Sequence, residues 1–153
     1  MEIKNQDNKI TRKGGFLIAR IFQISGRVFA RKMKEAGLED ISPEQGRILF
    51  ALWEKDGIPI QELTRRTSLR KSTMTAALDR LEKSGHVVRE PSTKDRRQIL
   101  IRITEKDRQL QDAYSRLSDE MADLSYKGFL KKEIDAFEQA LKRILANLKE
   151  SEK

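Results

Sequence analysis

The feature that most constrains this chain is a change of period at Gly85. Upstream, in RKSTMTAALDRLEKSG, Met74, Leu78 and Leu81, with Ala77 beside them, recur at three- and four-residue spacings, which places them in one apolar stripe of a helix. Downstream the repeat becomes two: Ile99, Ile101 and Ile103 fall on one face of a strand, and Gln98, Leu100 and Arg102 on the other. A helix ended by glycine and followed at once by a short hairpin is therefore predicted. The hairpin tip, PSTKDRR, joins the turn formers Pro91, Ser92 and Asp95 to Lys94, Arg96 and Arg97, a charged finger held out on two strands.

The helix turns Ser72, Thr75, Ala76, Asp79 and Lys83 outward. Small hydroxyl side chains with basic neighbours, on a helix with a firm apolar back, suit an element that approaches another surface closely, and a DNA groove is such a surface. Taken singly, each piece also fits a solvated basic helix packed on a hairpin in an unrelated domain; their order favours DNA. Charge placement agrees with it. The net charge of +8 is segregated, since residues 61–104 carry 11 Lys and Arg against 5 Asp and Glu, and residues 1–37 carry 9 against 3. A basic excess around a reading helix is the electrostatic footprint of phosphate neutralisation.

Along the rest of the chain, residues 1–13 are polar without period and read as a loose arm. From Gly15 to Ala36 two adjacent stripes, Leu17, Ile21, Ile24 and Val28 beside Ile18, Phe22, Ser25 and Phe29, predict a helix that touches two surfaces. Ser42-Pro43-Glu44-Gln45 is a capping-box start for a helix carrying Ile48, Leu49, Leu52 and Trp53. Ile58-Pro59-Ile60 is short enough only for an edge strand, a third beside the hairpin. A brief helix, QELTRRT, then a turn at Ser68-Leu69, lead into the reading helix, with Leu63, Leu69, Met74, Leu78 and Leu81 as the shared core. Thr104 and Asp107 form a T-x-x-D box opening a long helix with Leu110, Tyr114, Leu117, Met121 and Leu124 in its stripe. After Gly128 the spacing of Leu130, Ile134, Phe137, Leu141, Ile144 and Leu148 is 4-3-4-3-4, a seam that needs a facing helix, either within one subunit or in a second copy.

These pieces resemble a known family. KSTMTAALDRLEKSG, then a D-x-R wing at Asp95 to Arg97, then DRRQILIRIT running into Ile103-Thr104, look like the winged helix-turn-helix of the multiple antibiotic resistance regulator (MarR) family. The expected fold is mainly α with a small β-wing, in the order α-α-β-α-α-β-β-α-α, as a single domain over residues 1–153. Within it, 42–104 form the winged helix-turn-helix, and the helical segments 14–37 and 105–149, from both termini, form a dimerisation region. The function expected is a sequence-specific transcriptional regulator, a repressor, bound as a homodimer to a pseudo-palindromic operator in double-stranded DNA. Arg70, Lys71, Ser72, Thr73, Thr75 and Ala76 are the candidate contacts from the helix, and Lys94, Asp95, Arg96 and Arg97 those from the wing. By resemblance Arg97 enters a minor groove, with Asp95 bracing its guanidinium, while Lys94 and Arg96 touch phosphate. Arg70 stands where the family commonly has a capping Asp or Ser, and Ala76 where a basic or polar residue is common.

Candidate dimer residues are Ile18, Leu130, Ile134, Phe137, Leu141, Ile144 and Leu148. The resemblance also implies a small aromatic or lipophilic effector between the dimer helices and the winged helix, where Phe22, Phe29, Trp53 and Tyr114 are candidates to line a pocket; the residues by themselves favour the plainer reading of these rings as core alone. An enzyme has little support: there are no cysteines, one histidine, His86, read as half-buried packing, and no phosphate-binding glycine loop or metal-ligand motif. No cofactor, metal or thiol-oxidation trigger is expected. The apolar run from Phe16 to Ile24 is broken by Arg20 and Gln23, so no membrane span is expected and the expected compartment is the cytoplasm. The rival function is a winged-helix adaptor whose basic surface docks an acidic protein.

Overall fold

The computed structural model describes residues 12–38 and 41–153; the loose arm expected for residues 1–13 lies, as far as residue 11, outside them. The order is α1 (Gly14–Glu35), α2 (Pro43–Glu54), β1 (Ile58–Pro59), α3 (Ile60–Thr67), α4 (Lys71–Lys83), β2 (Val87–Pro91), β3 (Ile99–Ile103), α5 (Glu105–Ser125) and α6 (Lys131–Glu152), the order that the periodicities predict. Two compact units result, one ending at Leu117 and the other running from Ser118.

In the first unit α2 starts as its sequence requires. Ser42 Oγ accepts from Gln45 N at 3.2 Å and Gln45 Oε1 from Ser42 N at 2.9 Å, with Pro43 in the first turn. The apolar stripes of α2, α3 and α4 converge, burying Ile48, Leu49 and Leu52 with Leu63, Met74, Leu78 and Leu81. Each such side chain contributes about 1.5–3 kcal/mol when fully buried, so this cluster is what fixes the helix-turn-helix. Its turn passes through Ser68, whose φ of 57° is left-handed, before Leu69, which is half buried. The sheet is antiparallel in the order β1-β3-β2, with Ile58 opposite Ile101, and Arg89 opposite Ile101 from the other side. Ile101 and Val87 carry the inner face of the sheet into the core.

One glycine sets the spacing of α2 and α5. A Cβ on Gly46 would lie 2.1 Å from the Tyr114 hydroxyl oxygen, closer than any side chain tolerates. Tyr114 is held in that position by edge-on contacts with Phe29 of α1 (centroids 5.3 Å) and Trp53 of α2 (5.1 Å). By contrast, Ile18, Ile21 and Phe22 in the amino-terminal half of α1 are exposed, and Met33 is the one residue of that helix that is buried.

In the second unit α5 ends and the chain turns at Gly128 into α6. Glu133 accepts from Leu130 N at 2.7 Å, capping the start of α6. Tyr126 donates to Glu138 at 2.9 Å and meets Phe129 and Phe137 edge-on. No residue of α6 is buried: Ile134 and Leu141 are half covered, while Phe137, Ile144 and Leu148 are exposed.

Candidate nucleic-acid interface

Helix α4, the candidate reading helix, presents what its stripe leaves over. Met74, Ala77, Leu78 and Leu81 are buried, so Lys71, Ser72, Thr73, Thr75 and Ala76 face solvent. Arg70 occupies the N-cap with extended backbone and makes no side-chain cap bond, and the first turn holds no acid. The amide hydrogens of that turn are thus open, and the positive end of the helix dipole is unopposed. Thr75 Oγ1 donates to Lys71 O at 3.0 Å, which leaves its oxygen as an acceptor.

The wing tip is ordered by its own side chains. Ser92 is buried, and its hydroxyl accepts from Lys94 N (3.2 Å) and Asp95 N (3.3 Å), while the loop closes through Ser92 N to Gln98 O at 3.0 Å. Asp95 does not brace the Arg97 guanidinium as expected. Its carboxylate accepts from Arg97 N at 3.0 Å, because a carboxylate two residues before an amide closes an Asx turn more readily than it reaches a long side chain. The Arg97 side chain is left exposed, as are Lys94 and Arg96. Among the described residues Arg70, Lys71, Lys94, Arg96 and Arg97 enter no ion pair, whereas Arg66, Arg89, Arg102 and Arg108 each meet a carboxylate. The start of α4 and the wing tip thus each carry exposed cations without a carboxylate partner.

Residues 41–99, from just before α2 to the first residue of β3, match the MarR family model. That segment is a MarR-family domain. Among relatives, the HTH-type transcriptional regulator TtmR of Methylorubrum extorquens (strain PA1) is 39% identical over 71 residues, 46% of this chain and 36% of TtmR. The chain spans between about a third and three fifths of the length of the curated relatives it matches. A MarR-family regulator from Silicibacter pomeroyi superposes with a TM-score of 0.73 at 28% identity, over 87% of this chain and 88% of that one. A variant of E. coli MarR complexed with operator DNA superposes with a TM-score of 0.75 at 25% identity, over 86% and 92%.

The chain also carries a buried polar network that periodicity did not reveal. Asp107 was expected to close a capping box; Thr104 Oγ1 does accept from Asp107 N (3.3 Å), but the carboxylate turns inward and is 0% exposed. Its two oxygens meet Trp53 Nε1 at 2.7 Å and His86 Nδ1 at 3.1 Å. Burial pushes the Asp107 carboxyl above its ordinary range, against the lowering effect of those partners. His86 is not merely half-buried packing: it is buried, and it links the root of β2 to α5 and α2. The one available signal was the lone histidine beside a strand, with an acid 21 positions on.

Of the proposed pocket residues, Phe29, Trp53 and Tyr114 come together, while Phe22 is exposed and apart from them. Tyr114's hydroxyl is pushed up to about 12 by burial. Among the described residues no cluster of His, Asp or Glu is placed to hold a metal ion, and no helix is long and apolar enough to cross a membrane.

Proposed function

We propose that the protein is a sequence-specific DNA-binding transcriptional regulator, a repressor that acts as a homodimer on a pseudo-palindromic operator and is released by a small organic ligand. The observation that carries the reading is that α4 opens on exposed Arg70 and Lys71 with no acid in its first turn, while the wing tip holds exposed Lys94, Arg96 and Arg97, none of the five in an ion pair. In this reading α4 enters the major groove with Ser72, Thr73, Thr75 and Ala76 at base edges, and Arg70 and Lys71 meet phosphates. Arg97 enters the adjacent minor groove and favours narrow A·T-rich sequence; Lys94 and Arg96 touch phosphate.

Residues 42–104 read DNA, and helices over 14–37 and 105–149 pair two copies. Supporting the pairing, Ile18, Phe137, Ile144 and Leu148 are exposed on helices with few or no buried residues. A two-fold protein reads half-sites about 10 bp apart. Phe29, Trp53 and Tyr114 form the aromatic wall at which an effector acts. Duplexes selected from a random pool give the operator, and affinity titrations over a salt series test the contacts. Arg97→Ala should weaken binding and flatten the salt slope by about one unit per arm. Binding to an acidic protein that DNA competitor does not displace, with an unchanged Arg97→Ala slope, refutes the reading.

A further inference from the structure

We infer that Arg89 is a positioning residue for DNA reading, one that hooks the wing to the reading helix and so sets the angle at which both reach one duplex. The inference rests on the DNA-binding reading above.

Arg89 lies in the middle of β2, the outer strand of the sheet, opposite Ile101. Its side chain leaves the strand and reaches α4, where Nη2 donates to Asp79 Oδ1 at 2.8 Å and Nη1 donates to Glu82 Oε2. Asp79 and Glu82 are three residues apart and so neighbour each other on one helical face. A planar guanidinium with two acceptors is fixed in two directions at once, which a lysine ammonium cannot reproduce. The Arg89 side chain is 27% exposed, against 62% and 42% for its partners, so the fork is partly shielded from water.

Two observations assign the fork to DNA reading instead of cohesion. Leu78, Leu81 and Val87 already join α4 to β2 through the core, so the hook adds little to holding them together. What the core does not restrain is the outer side of β2, which has a strand neighbour on one side only, and there Arg89 acts. In addition, Asp79 and Glu82 are the acids of α4, a helix that must lie against phosphates. Left alone they would repel the duplex; Arg89 neutralises them and turns them toward the hairpin.

The test measures affinity of the full chain for the selected operator across a salt series, with thermal melts to establish folding. Arg89→Ala should bind about tenfold more weakly and show the slope flattening of Arg97→Ala. The double variant should bind no more weakly than the weaker single variant, because both remove the same wing contact. Arg89→Lys should recover part of the loss. Additive losses, or wild-type affinity in Arg89→Ala, overturn the inference. If Arg89→Ala does not fold, the isosteric pair Asp79→Asn with Glu82→Gln releases the hook from the other end. Under positioning it binds as weakly as expected for Arg89→Ala; wild-type or tighter binding would mean that Arg89 only neutralises charge, and overturns the inference. An Arg97→Ala protein with unchanged affinity and slope overturns the DNA-binding reading itself, whereas loss in Arg97→Ala with none in Arg89→Ala overturns the hook alone.

Discussion

Replacing Gly46 by alanine should change stability in opposite directions depending on a single oxygen of Tyr114. In a helix interior, glycine to alanine gains about 1 kcal/mol from reduced backbone freedom in the unfolded chain. Here the added Cβ falls 2.1 Å from the Tyr114 hydroxyl oxygen and 3.2 Å from Cζ. Tyr114 has little room to yield, since it is buried between Phe29 and Trp53. Overpacking of this kind costs about 1–3 kcal/mol, so the net effect in the native background is a loss of about 1 kcal/mol. Tyr114→Phe removes the atom at 2.1 Å and leaves a 3.2 Å contact that a small shift relieves. In that background Gly46→Ala should stabilise by about 0.5 kcal/mol, less than the full propensity gain. Urea unfolding followed by circular dichroism, at one fixed protein concentration for all four chains, reads the cycle. The midpoint should fall for Gly46→Ala alone and rise for Gly46→Ala in Tyr114→Phe, with the slope constant. Equal shifts of the same sign in both backgrounds would refute the claim that this glycine sets the approach of α2 and α5.

Because burial holds the Asp107 carboxyl above its ordinary range, the stability it contributes is fully present below its unfolded pKa and is lost as pH rises through the folded value. Wild type should therefore lose stability relative to Asp107→Asn as pH climbs from about 4, and a pH-independent difference in urea midpoints would contradict this. Thr75 spends its hydroxyl hydrogen on Lys71 O, so it can only accept from a base. Thr75→Val should lose about 1–3 kcal/mol of discrimination at operator positions presenting an adenine or cytosine amino group, and none elsewhere, in competition titrations. Leu141→Asp, on a helix without buried residues, should convert a dimer to monomers in sedimentation; a wild type that is monomeric at micromolar concentration removes the basis for that expectation.

Local pattern carried most of the fold. The change of period at Gly85, the Ser42 capping box and the brevity of Ile58-Pro59 each narrow the local structure sharply, and the elements of the described residues follow in the expected order. What stayed hidden depends on approach between distant segments. Trp53 and His86 lie 54 and 21 positions from Asp107 along the chain, and each of the three has an ordinary local explanation as stripe, packing or cap. Arg89 reads simply as a strand charge until α4 is folded beside it. The spacing of Asp95 and Arg97 marks the turn but does not separate a bond to the backbone amide, which forms, from one to the guanidinium.

The sheet ends in proline on both outer strands. β1 is two residues long and finishes at Pro59; β2 finishes at Pro91. A strand from another molecule approaching either margin meets few free amide hydrogens, and on β2 it also meets Arg89 and Glu90, both already engaged. Extended, fibre-like association is thus disfavoured along the margins of this sheet. The pairing of helices proposed above differs in kind, since a two-fold partnership closes on itself and growth stops once each face is covered.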